Sequence, residues 1–455
     1  MSEEELIDTY RPGKKESIED VIMKLREERP SRLRFCATTG LSMEQIAALN
    51  EAIPKSITEL RLSNCQHSFV VCALEKLKST PIKKLYLFDI KINAQIMKII
   101  GELLELNQGL IEVNVKDNSV ESEGISLIAN GIRHHSTLER LDLSNSLADR
   151  MGKDILLDAM QQNSSIQALN LSGKVLESST SNKALGVMLR QNGTLKELDL
   201  CQNSLQNDEV IEMADTLRLN NKSLSTLRLA NTGLGHHAAI AIGQMLAKNT
   251  TLTLLDVGGN QFGYLGAIAI VEGIRCLQHL DLRSTRLGIT GSKAICKMLR
   301  TNHTLRSLNL SRNNFGDEGA VNVVDGLIFN TELRSLSLSM CSITRTGAIY
   351  LGRKLHAMSG IKQLFLFQNS IDKDGFNALL QGLKDNVSLV DLGIEKRYLS
   401  SSDELSLYLK LNRIGRCVLR EPDLPDGLWP YIFSRGQTPD MINYFLRQKP
   451  NICYS

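Results

Sequence analysis

Proline is scarce in this 455-residue chain, and its distribution is uneven. Of nine prolines, four lie at or before Pro81 and five lie at or after Pro422, so the long stretch between them has none. Proline removes a backbone donor and interrupts helices and central strands. Its absence over such a length indicates an unbroken series of hydrogen-bonded strands and short helices, with different structure at the two ends.

The sequence also lacks long apolar runs and an excess of one charge. No apolar run reaches the roughly 18 residues that a membrane span needs. Lys and Arg number 53 against 50 Asp and Glu, so nothing predicts a nucleic acid or membrane partner. The first residues, MSEEELIDTY, do not resemble a secretory signal. The nine cysteines form no CxxC pair, and we expect reduced thiols in a cytoplasmic or nuclear protein.

Motifs for catalysis, nucleotide binding or metal binding are missing as well. The chain has no GxxxxGK[ST], GxGxxG, GxSxG or HExxH sequence. Two histidine pairs, 134–135 and 236–237, are adjacent in sequence, and adjacent helical side chains point about 100° apart, which is wrong for chelating one ion. We therefore expect no enzyme activity, no cofactor and no metal.

What the sequence does contain is an internal repeat. Its frame is LxxLxLxxN followed by approximately xLxxxGxxxLxxxLxxN, and it gives 12 repeats over 57–388. The period is 28 or 29 residues in ten repeats, and it is 25 in the repeats that begin at Ile57 and Leu252. The clearest copies begin at Leu138, Leu195, Leu224, Leu277, Leu305, Leu333 and Ile361, and weaker ones at Ile82, Leu110 and Ile166.

Each repeat predicts one short strand and one helix. The LxLxx core alternates with period two, which is typical of a strand, and the second half places apolar residues at helical spacing. In the repeat at Leu305 these residues follow Gly319, whose lack of a side chain suits the corner between strand and helix. They are Ala320, Val323, Val324 and Leu327. A single strand–helix pair cannot bury its apolar side, so the repeats must stack.

The ninth position of the frame predicts side chains that form hydrogen bonds with unpaired backbone groups. Its asparagines can bond the polar groups that remain unpaired where a strand ends. These asparagines are Asn118, Asn203, Asn260, Asn313 and Asn369. A different asparagine ends the helical half of many repeats and creates six of the eight Asn-x-Ser/Thr sequons, which we interpret as by-products of the repeat and not as glycosylation sites.

The two ends of the chain differ from the repeats. Residues 1–56 predict a capping helix, with Ser17 and Asp20 as its start signal, and a half repeat. A terminal strand at 389–394 closes the array, and 395–455 predicts a helical cap. We expect apolar side chains of this cap to pack on the last coil, although a separate recognition motif is the alternative. They are Trp429, Tyr431, Phe433 and Phe445.

This pattern resembles the leucine-rich repeat family, in the long-repeat class typified by ribonuclease inhibitor. The resemblance implies an α/β solenoid, or horseshoe, over 57–394, with parallel strands on a concave face and helices on a convex face. It implies a protein partner on the concave face and no particular reaction, because members share a scaffold and not a chemistry.

The x positions of the strands predict the candidate partner-binding residues. Four aspartates, with Glu112 and Glu197 beside them, form an acidic band along the strands. They are Asp142, Asp199, Asp256 and Asp281. The band is either a common sequence variant of the repeat or a site for a basic partner. Paired aromatics occur in only two repeats, and either a partner or the chain's own caps would cover them. The candidates are Tyr86, Phe88, Asp142, Asp199, Arg228, Asp256, Asp281, Phe365 and Phe367.

The sequence thus predicts a non-enzymatic protein-binding scaffold or adaptor. One alternative is a regulator of a small GTPase, since the activator of Ran resembles this repeat class, although its acidic tail has no counterpart in LRQKPNICYS. Another is an immune-sensor-like repeat protein without a nucleotide-binding module. Inhibition of a ribonuclease is disfavoured, because that inhibitor is rich in cysteine and strongly acidic. The sequence predicts neither the partner nor the oligomeric state.

Overall fold

The computed structural model of the protein describes residues 7–10, 17–173, 184–395, 403–413, 416 and 444. The chain divides into two compact units, Met1–Gly233 and Leu234–Ser455. In the described part of the chain, no helix is both long enough and apolar enough to cross a membrane. The seven cysteines described there are all free thiols.

The first unit alternates strands with helices, and its strands pair in parallel and in chain order. The strands are β1 (Ile7–Tyr10), β2 (Arg32–Cys36), β3 (Glu59–Ser63), β4 (Lys84–Phe88), β5 (Glu112–Asn114), β6 (Arg140–Asp142), β7 (Ala168–Asn170), β8 (Glu197–Asp199) and β9 (Thr226–Arg228). The helices are α1 (Ile18–Glu28), α2 (Met43–Ala52), α3 (His67–Leu77), α4 (Ala94–Leu106), α5 (Ser122–Arg133), α6 (Arg150–Gln162), α7 (Ala184–Gln191) and α8 (Asn207–Leu219).

The second unit follows the same plan, again with parallel strands in chain order. The strands are β10 (Leu254–Asp256), β11 (His279–Asp281), β12 (Ser307–Asn309), β13 (Ser335–Ser337), β14 (Gln363–Phe365) and β15 (Asp391–Gly393). The helices are α9 (His236–Leu246), α10 (Gly263–Gly273), α11 (Gly288–Thr301), α12 (Gly316–Leu327), α13 (Arg345–Lys354) with a 3-10 turn at Leu355–Ala357, α14 (Lys373–Asp385) and α15 (Asp403–Arg413).

The core of each unit lies between its strands and helices, as the repeat predicts. The frame leucines are buried and pair with one another across the sheet, for example Leu280 of β11 with Leu308 of β12. The helical residues predicted for the repeat at Leu305 are also buried. At Gly319 an added side chain would collide with Phe315, which explains why the strand-to-helix corner needs glycine. The predicted α/β solenoid is confirmed.

The ninth-position asparagines join each coil to the one before it, which confirms their predicted role. The Asn313 amide donates to the carbonyls of Leu282 and Leu310, at 2.8 and 2.9 Å. Its oxygen accepts from the backbone N–H groups of Thr285 and Leu287, each at 3.1 Å. Asn118, Asn203 and Asn369 each donate in the same way to their own and the preceding coil.

A cysteine fills this position in the repeat at Leu333. The Cys341 thiol lies 3.4 Å from the Leu310 carbonyl of the preceding coil, and the Cys341 backbone donates to Asn369. Burial raises the pKa of the Cys341 thiol to about 11, so the neutral thiol is favoured at physiological pH. The sulfur therefore acts as a weak hydrogen-bond donor in a structural role.

A second set of asparagines, those of the sequons, stabilises the opposite corner of each coil. The Asn221 amide donates to the carbonyls of Leu189 and Asn192, at 2.8 and 3.2 Å. Its oxygen accepts from the N–H groups of Ser223 and Leu224, at 3.1 and 3.0 Å. Asn163, Asn192 and Asn386 make equivalent bonds, and so does Asn330, which is not part of a sequon. These residues are thus a structural requirement of the fold, and they are buried away from any glycosylating enzyme.

Histidine replaces this asparagine in one coil, which explains one of the two histidine pairs. The His135 ring accepts from the N–H groups of Thr137 and Leu138, at 3.3 and 3.0 Å, and its other nitrogen lies 3.1 Å from the Asn107 carbonyl. Burial lowers the pKa of His135, which favours the neutral ring that these bonds require. Within the described ranges, no group of three or more His, Cys, Asp and Glu residues could hold a metal ion.

The amino-terminal segment contains more regular structure than a half repeat. The predicted capping box of α1 is present, with Asp20 N–H donating to the Ser17 hydroxyl at 3.1 Å. However, β1 adds a further parallel strand beside β2, with Ile7 opposite Leu33. The sequence analysis missed β1 because its four residues, IDTY, do not carry the LxxLxL frame.

At the carboxyl end of the second unit, polar side chains bond the carbonyls of the last coil. The Asn412 amide donates to Leu389 at 2.7 Å and Asn386 at 3.0 Å. The Arg416 guanidinium, which is 1% exposed, donates to Asn386 and, at 2.8 Å, to Leu383. The aromatic residues predicted to pack here, Trp429, Tyr431, Phe433 and Phe445, lie outside the described residues.

Replacing Asn221 with alanine leaves two carbonyls and two N–H groups unpaired at a buried corner. We expect the free energy of unfolding to fall by roughly 2–4 kcal/mol, because each unsatisfied buried group costs about 1–3 kcal/mol. Urea denaturation followed by circular dichroism measures the change. The neighbouring Asn220→Ala variant is the control, because Asn220 is exposed, and its effect should stay below about 0.5 kcal/mol. Equal losses for both variants would contradict this assignment.

Replacing Arg416 with methionine retains much of the side-chain volume and removes the donors to Leu383 and Asn386. We expect amides of α15 to exchange with deuterium about ten-fold faster, because the contact between this helix and the last coil is weakened. Hydrogen exchange with mass spectrometry measures this. Arg413→Met is the matched control, since Arg413 is exposed and makes one bond, 3.2 Å long, to Val390. Similar exchange in the two variants would be evidence against a special role for Arg416.

Candidate functional site

The candidate site lies on the face of the strands that points away from the helices, here called the ladder face. In the three-residue strands from β5 to β14 the central apolar residue is buried and its two neighbours are at least partly exposed, as in Glu197, Leu198 and Asp199. The side chains of the ladder face are therefore held at fixed strand spacing by a rigid core. Each unit has its own part of this face.

In the first unit, the strand register places five polar side chains of the ladder face side by side, three of which are predicted partner-binding residues. Asn114, Asp142, Asn170, Asp199 and Arg228 occupy neighbouring strands in that order. Together with Arg140, Glu112 and Glu197 they line a shallow cavity of about 200 Å³. Three of the predicted residues, Asp142, Asp199 and Arg228, are thus brought together.

The carboxylates of this band have a local structural task. One oxygen of Asp199 accepts from the backbone N–H of Cys201, two residues further on, at 2.9 Å. Asp142 accepts from Ser144 in the same way, also at 2.9 Å. These bonds are Asx turns, which end the strand. Asn114, Asn170 and Asn309 make the same bond at the same position. The turn in these coils therefore uses a side-chain oxygen, and it does not need a charge.

The two arginines of the cavity are differently placed. Arg140 is exposed and Arg228 is half-buried, and among the described residues neither forms an ion pair. Glu112, by contrast, has Lys84 at 3.7 Å. Guanidinium groups between carboxylates on a rigid face can donate to a partner's carboxylate or backbone, while the aspartate oxygens have lone pairs that can accept.

Side chains of neighbouring coils already cover Tyr86, one of the predicted partner-binding residues. Tyr86 is only 7% exposed, because the Arg61 guanidinium lies over its ring, 4.4 Å from the centroid, and Phe88 packs beside it at 6.0 Å. Burial and the neighbouring Glu112 carboxylate raise the pKa of Tyr86. Phe88 is half-buried, and the Lys116 ammonium lies 5.2 Å from its ring centroid. Cations from adjacent strands thus cover this aromatic pair.

In the second unit, Asp256 and Asp281 are opposite each other on β10 and β11. The Arg283 guanidinium lies 3.7 Å from each carboxylate and partly neutralises the pair. Each aspartate also makes the Asx turn, to Gly258 and Arg283, at 3.0 and 2.8 Å. The acidic character of the ladder face is therefore weaker here than the sequence alone suggests.

Phe365 and Phe367 lie at the other end of the second unit's ladder face. Their rings stack with centroids 6.3 Å apart, and Phe367 is 41% exposed. Both rings lean over Gly393 of β15, where an added Cβ atom would lie 2.5 Å from Phe367 and 2.6 Å from Phe365. The glycine provides the space in which the rings lie. Most of the cap that could cover them lies outside the described residues, so their binding role stays a prediction.

Two groups of contacts were missed by the sequence analysis. The covering of Tyr86 by Arg61, and the support of the phenylalanines by Gly393, both involve residues one strand away. The signal was present in the alignment of the repeats, since Arg61 and Tyr86 share one frame position, as do Phe365 and Gly393. Comparing neighbouring repeats pair by pair would have found both.

Comparisons with known proteins agree with this architecture. A family model described as Leucine Rich repeat matches residues 248–271, 301–324 and 329–352. The "NACHT, LRR and PYD domains-containing protein 12" of Mus musculus is 28% identical over 306 residues, which are 60% of this chain and 28% of the mouse protein. The human protein of that name is 28% identical over 234 residues, 44% of this chain and 22% of its own length.

The "Ribonuclease inhibitor" of Mus musculus is 24% identical over 242 residues, or 46% of this chain and 53% of the inhibitor. The chain thus spans about a quarter of the NACHT, LRR and PYD relatives and about half of the inhibitor. A solved structure, "Crystal structure of Rad7 and Elc1 complex in yeast", gives a TM-score of 0.46 at 17% identity and covers 79% of this chain and 86% of that one.

The repeat frame, the parallel strand ladder and the matched repeats define an α/β solenoid of stacked strand–helix coils. The chain is similar in this respect to leucine-rich repeat proteins of the ribonuclease-inhibitor-like class. The fold and the similarity both agree with the class of protein that the repeat sequence predicts.

Replacing Asp199 separates the structural role of the acidic band from a binding role. Asp199→Asn keeps the oxygen that accepts from Cys201, so we expect the free energy of unfolding to change by less than about 0.5 kcal/mol. Asp199→Ala removes the bond and should cost about 1 kcal/mol. Urea denaturation of both variants provides the measurement. If asparagine is as harmful as alanine, the charge itself stabilises the fold, and the Asx-turn explanation is wrong.

Proposed function

We propose that this protein is a non-enzymatic protein-binding scaffold or adaptor that engages its partner on the ladder face. The observation that best supports the proposal is the stacked pair of Phe365 and Phe367. It places a large exposed ring on a face whose neighbouring positions, Ser337 and Ser339, are small and polar. Exposed aromatic rings held by a rigid scaffold are the usual centres of protein interfaces.

The polar cavity of the first unit supplies the second element of the proposal. Arg140 and Arg228 lie among carboxylates on strands whose positions are fixed by the core. Charged groups in such an arrangement orient a partner and reject others more than they add affinity. The phenylalanines would then contribute affinity and the cavity would contribute specificity.

The function is tested by removing the exposed ring. Affinity capture from the native cell, with quantitative mass spectrometry, identifies proteins retained by the unmodified chain. Phe367→Ala should weaken retention of the ladder-face partner by about 2 kcal/mol or more, as expected for an aromatic anchor. Arg228→Gln should change which proteins are retained, since it alters the cavity that orients the partner.

The matched control is Phe329→Ala, which removes an exposed ring of the same unit at the end of the helical half of its repeat. Phe329 is 61% exposed, so its removal changes the surface hydrophobicity at least as much. Retention that falls equally for Phe329→Ala and Phe367→Ala would indicate non-specific adhesion. Retention that is unchanged by both Phe367→Ala and Arg228→Gln would place the partner elsewhere.

A second candidate rests on the relatives. The similarity to NACHT, LRR and PYD domains-containing proteins covers about a quarter of their length, which favours a repeat region that works within a larger multidomain chain. An antibody raised against this chain tests the candidate in the native cell. A product larger than 455 residues would support it, and a product of this length alone would speak against it.

A further inference from the structure

A groove of about 700 Å³ lies in the second unit, between the carboxyl-terminal ends of α10 and α11. Its floor is apolar, formed by the buried side chains of Val271, Ile274 and Met298. Its rim is exposed and carries two cations and one carboxylate. Arg275 and Glu272 lie at the end of α10, and Lys297 lies on α11, so a positive group stands on each wall.

The groove exists because the repeat at Leu252 has 25 residues. Its helix ends at Gly273, and the chain turns at once toward the next strand. Arg275 closes this short turn by donating to the carbonyls of Glu272 and Ile274, each at 2.9 Å. The residues that a repeat of 28 or 29 residues has after this helix are absent here, and they would otherwise cover the end of α11.

The other 25-residue repeat, at Ile57, shows how such a corner can be closed. Lys78 follows the buried Leu77 as Arg275 follows the buried Ile274, and Glu102 holds the repeat position of Lys297. The Lys78 ammonium lies 2.6 Å from carboxylate oxygens of both Glu75 and Glu102. This bridge spans the gap between the two helices.

The second unit lacks the acidic half of that bridge. Its cation, Arg275, donates to the carbonyls of its own turn instead. The facing position carries Lys297 in place of a carboxylate, and among the described residues Lys297 forms no ion pair. The corner that is sealed by opposite charges in one repeat is open and positively charged in the other.

We propose that this groove binds an extended segment of a protein partner that presents an apolar side chain between carboxylates. The apolar floor accepts the side chain, and the cations on the two walls pair with the acidic residues on either side of it. Cations on both walls suit an extended acidic segment better than a single ion. The site is separate from the ladder face and does not rest on the function proposed for that face.

A peptide library displayed on phage, selected against the full chain, tests the proposal. We expect the enriched peptides to carry Asp or Glu next to Leu, Ile, Met or Phe. A synthetic peptide of the enriched sequence should bind about ten-fold more weakly to Lys297→Glu. It should also bind more weakly to Ala294→Phe, which fills the groove without changing its charge, and more weakly as salt is raised.

Lys248→Glu is the control for charge, because Lys248 is an exposed lysine of the same unit that does not line the groove. It should leave peptide affinity within about two-fold. Phe367→Ala should also leave it unchanged, which keeps failure here distinct from failure of the ladder-face proposal. Circular dichroism confirms that each variant is folded.

Three outcomes would overturn the proposal. The first is a selection whose peptides are basic or bind Lys297→Glu as well as the unmodified chain. The second is self-association of the unmodified chain that Lys297→Glu abolishes, which would assign the groove to a second copy. The third is binding of phosphatidylserine vesicles through Lys297 without peptide binding, which would assign it to a membrane surface.

Discussion

The backbone groups at the corners of each coil must find partners in the absence of water, and this requirement governs the structure. Side-chain amides meet it twice in most coils, once where the strand ends and once where the helix ends. Asn313 and Asn221 are examples, and each uses both ends of its amide to join its own coil to the preceding one. A coil without its neighbour would leave these amides and carbonyls unpaired, so cohesion is a property of adjacent coils.

The sequence predicts most of the fold because the same physical problem recurs at a fixed period. Where a coil pairs its backbone groups with a residue other than asparagine, the repeat frame does not predict that residue. His135 replaces an asparagine with a ring of similar bonding capacity, and Arg416 supplies from a cap the donors that a further coil would supply. Neither residue matches the frame, so a search for the frame overlooks both. The short strand β1 was missed for the same reason.

The candidate site was predicted less completely than the fold. The frame identifies which side chains lie on the ladder face, but it does not state what neighbouring strands do to them. Tyr86 was predicted to be covered by a partner or a cap, and Arg61 from the adjacent strand covers it. Phe367 carries the same prediction, and the absence of a side chain at Gly393 determines where its ring lies. Exposure on a strand ladder therefore depends on pairs of repeats, and a single repeat does not determine it.

The Asx turns of the ladder face have an evolutionary consequence. Aspartate and asparagine fill the turn equally well by geometry, so a single nucleotide change can switch a position between charged and neutral while the turn is kept. Each coil from Asn114 to Asp199, and again from Asp256 to Asn309, thus carries one position at which the surface charge can change while the turn is kept. Asp256 and Asp281 share Arg283, so these two positions are coupled. The turn itself imposes no preference on the pattern of charge along the ladder, which can follow the partners that the protein meets.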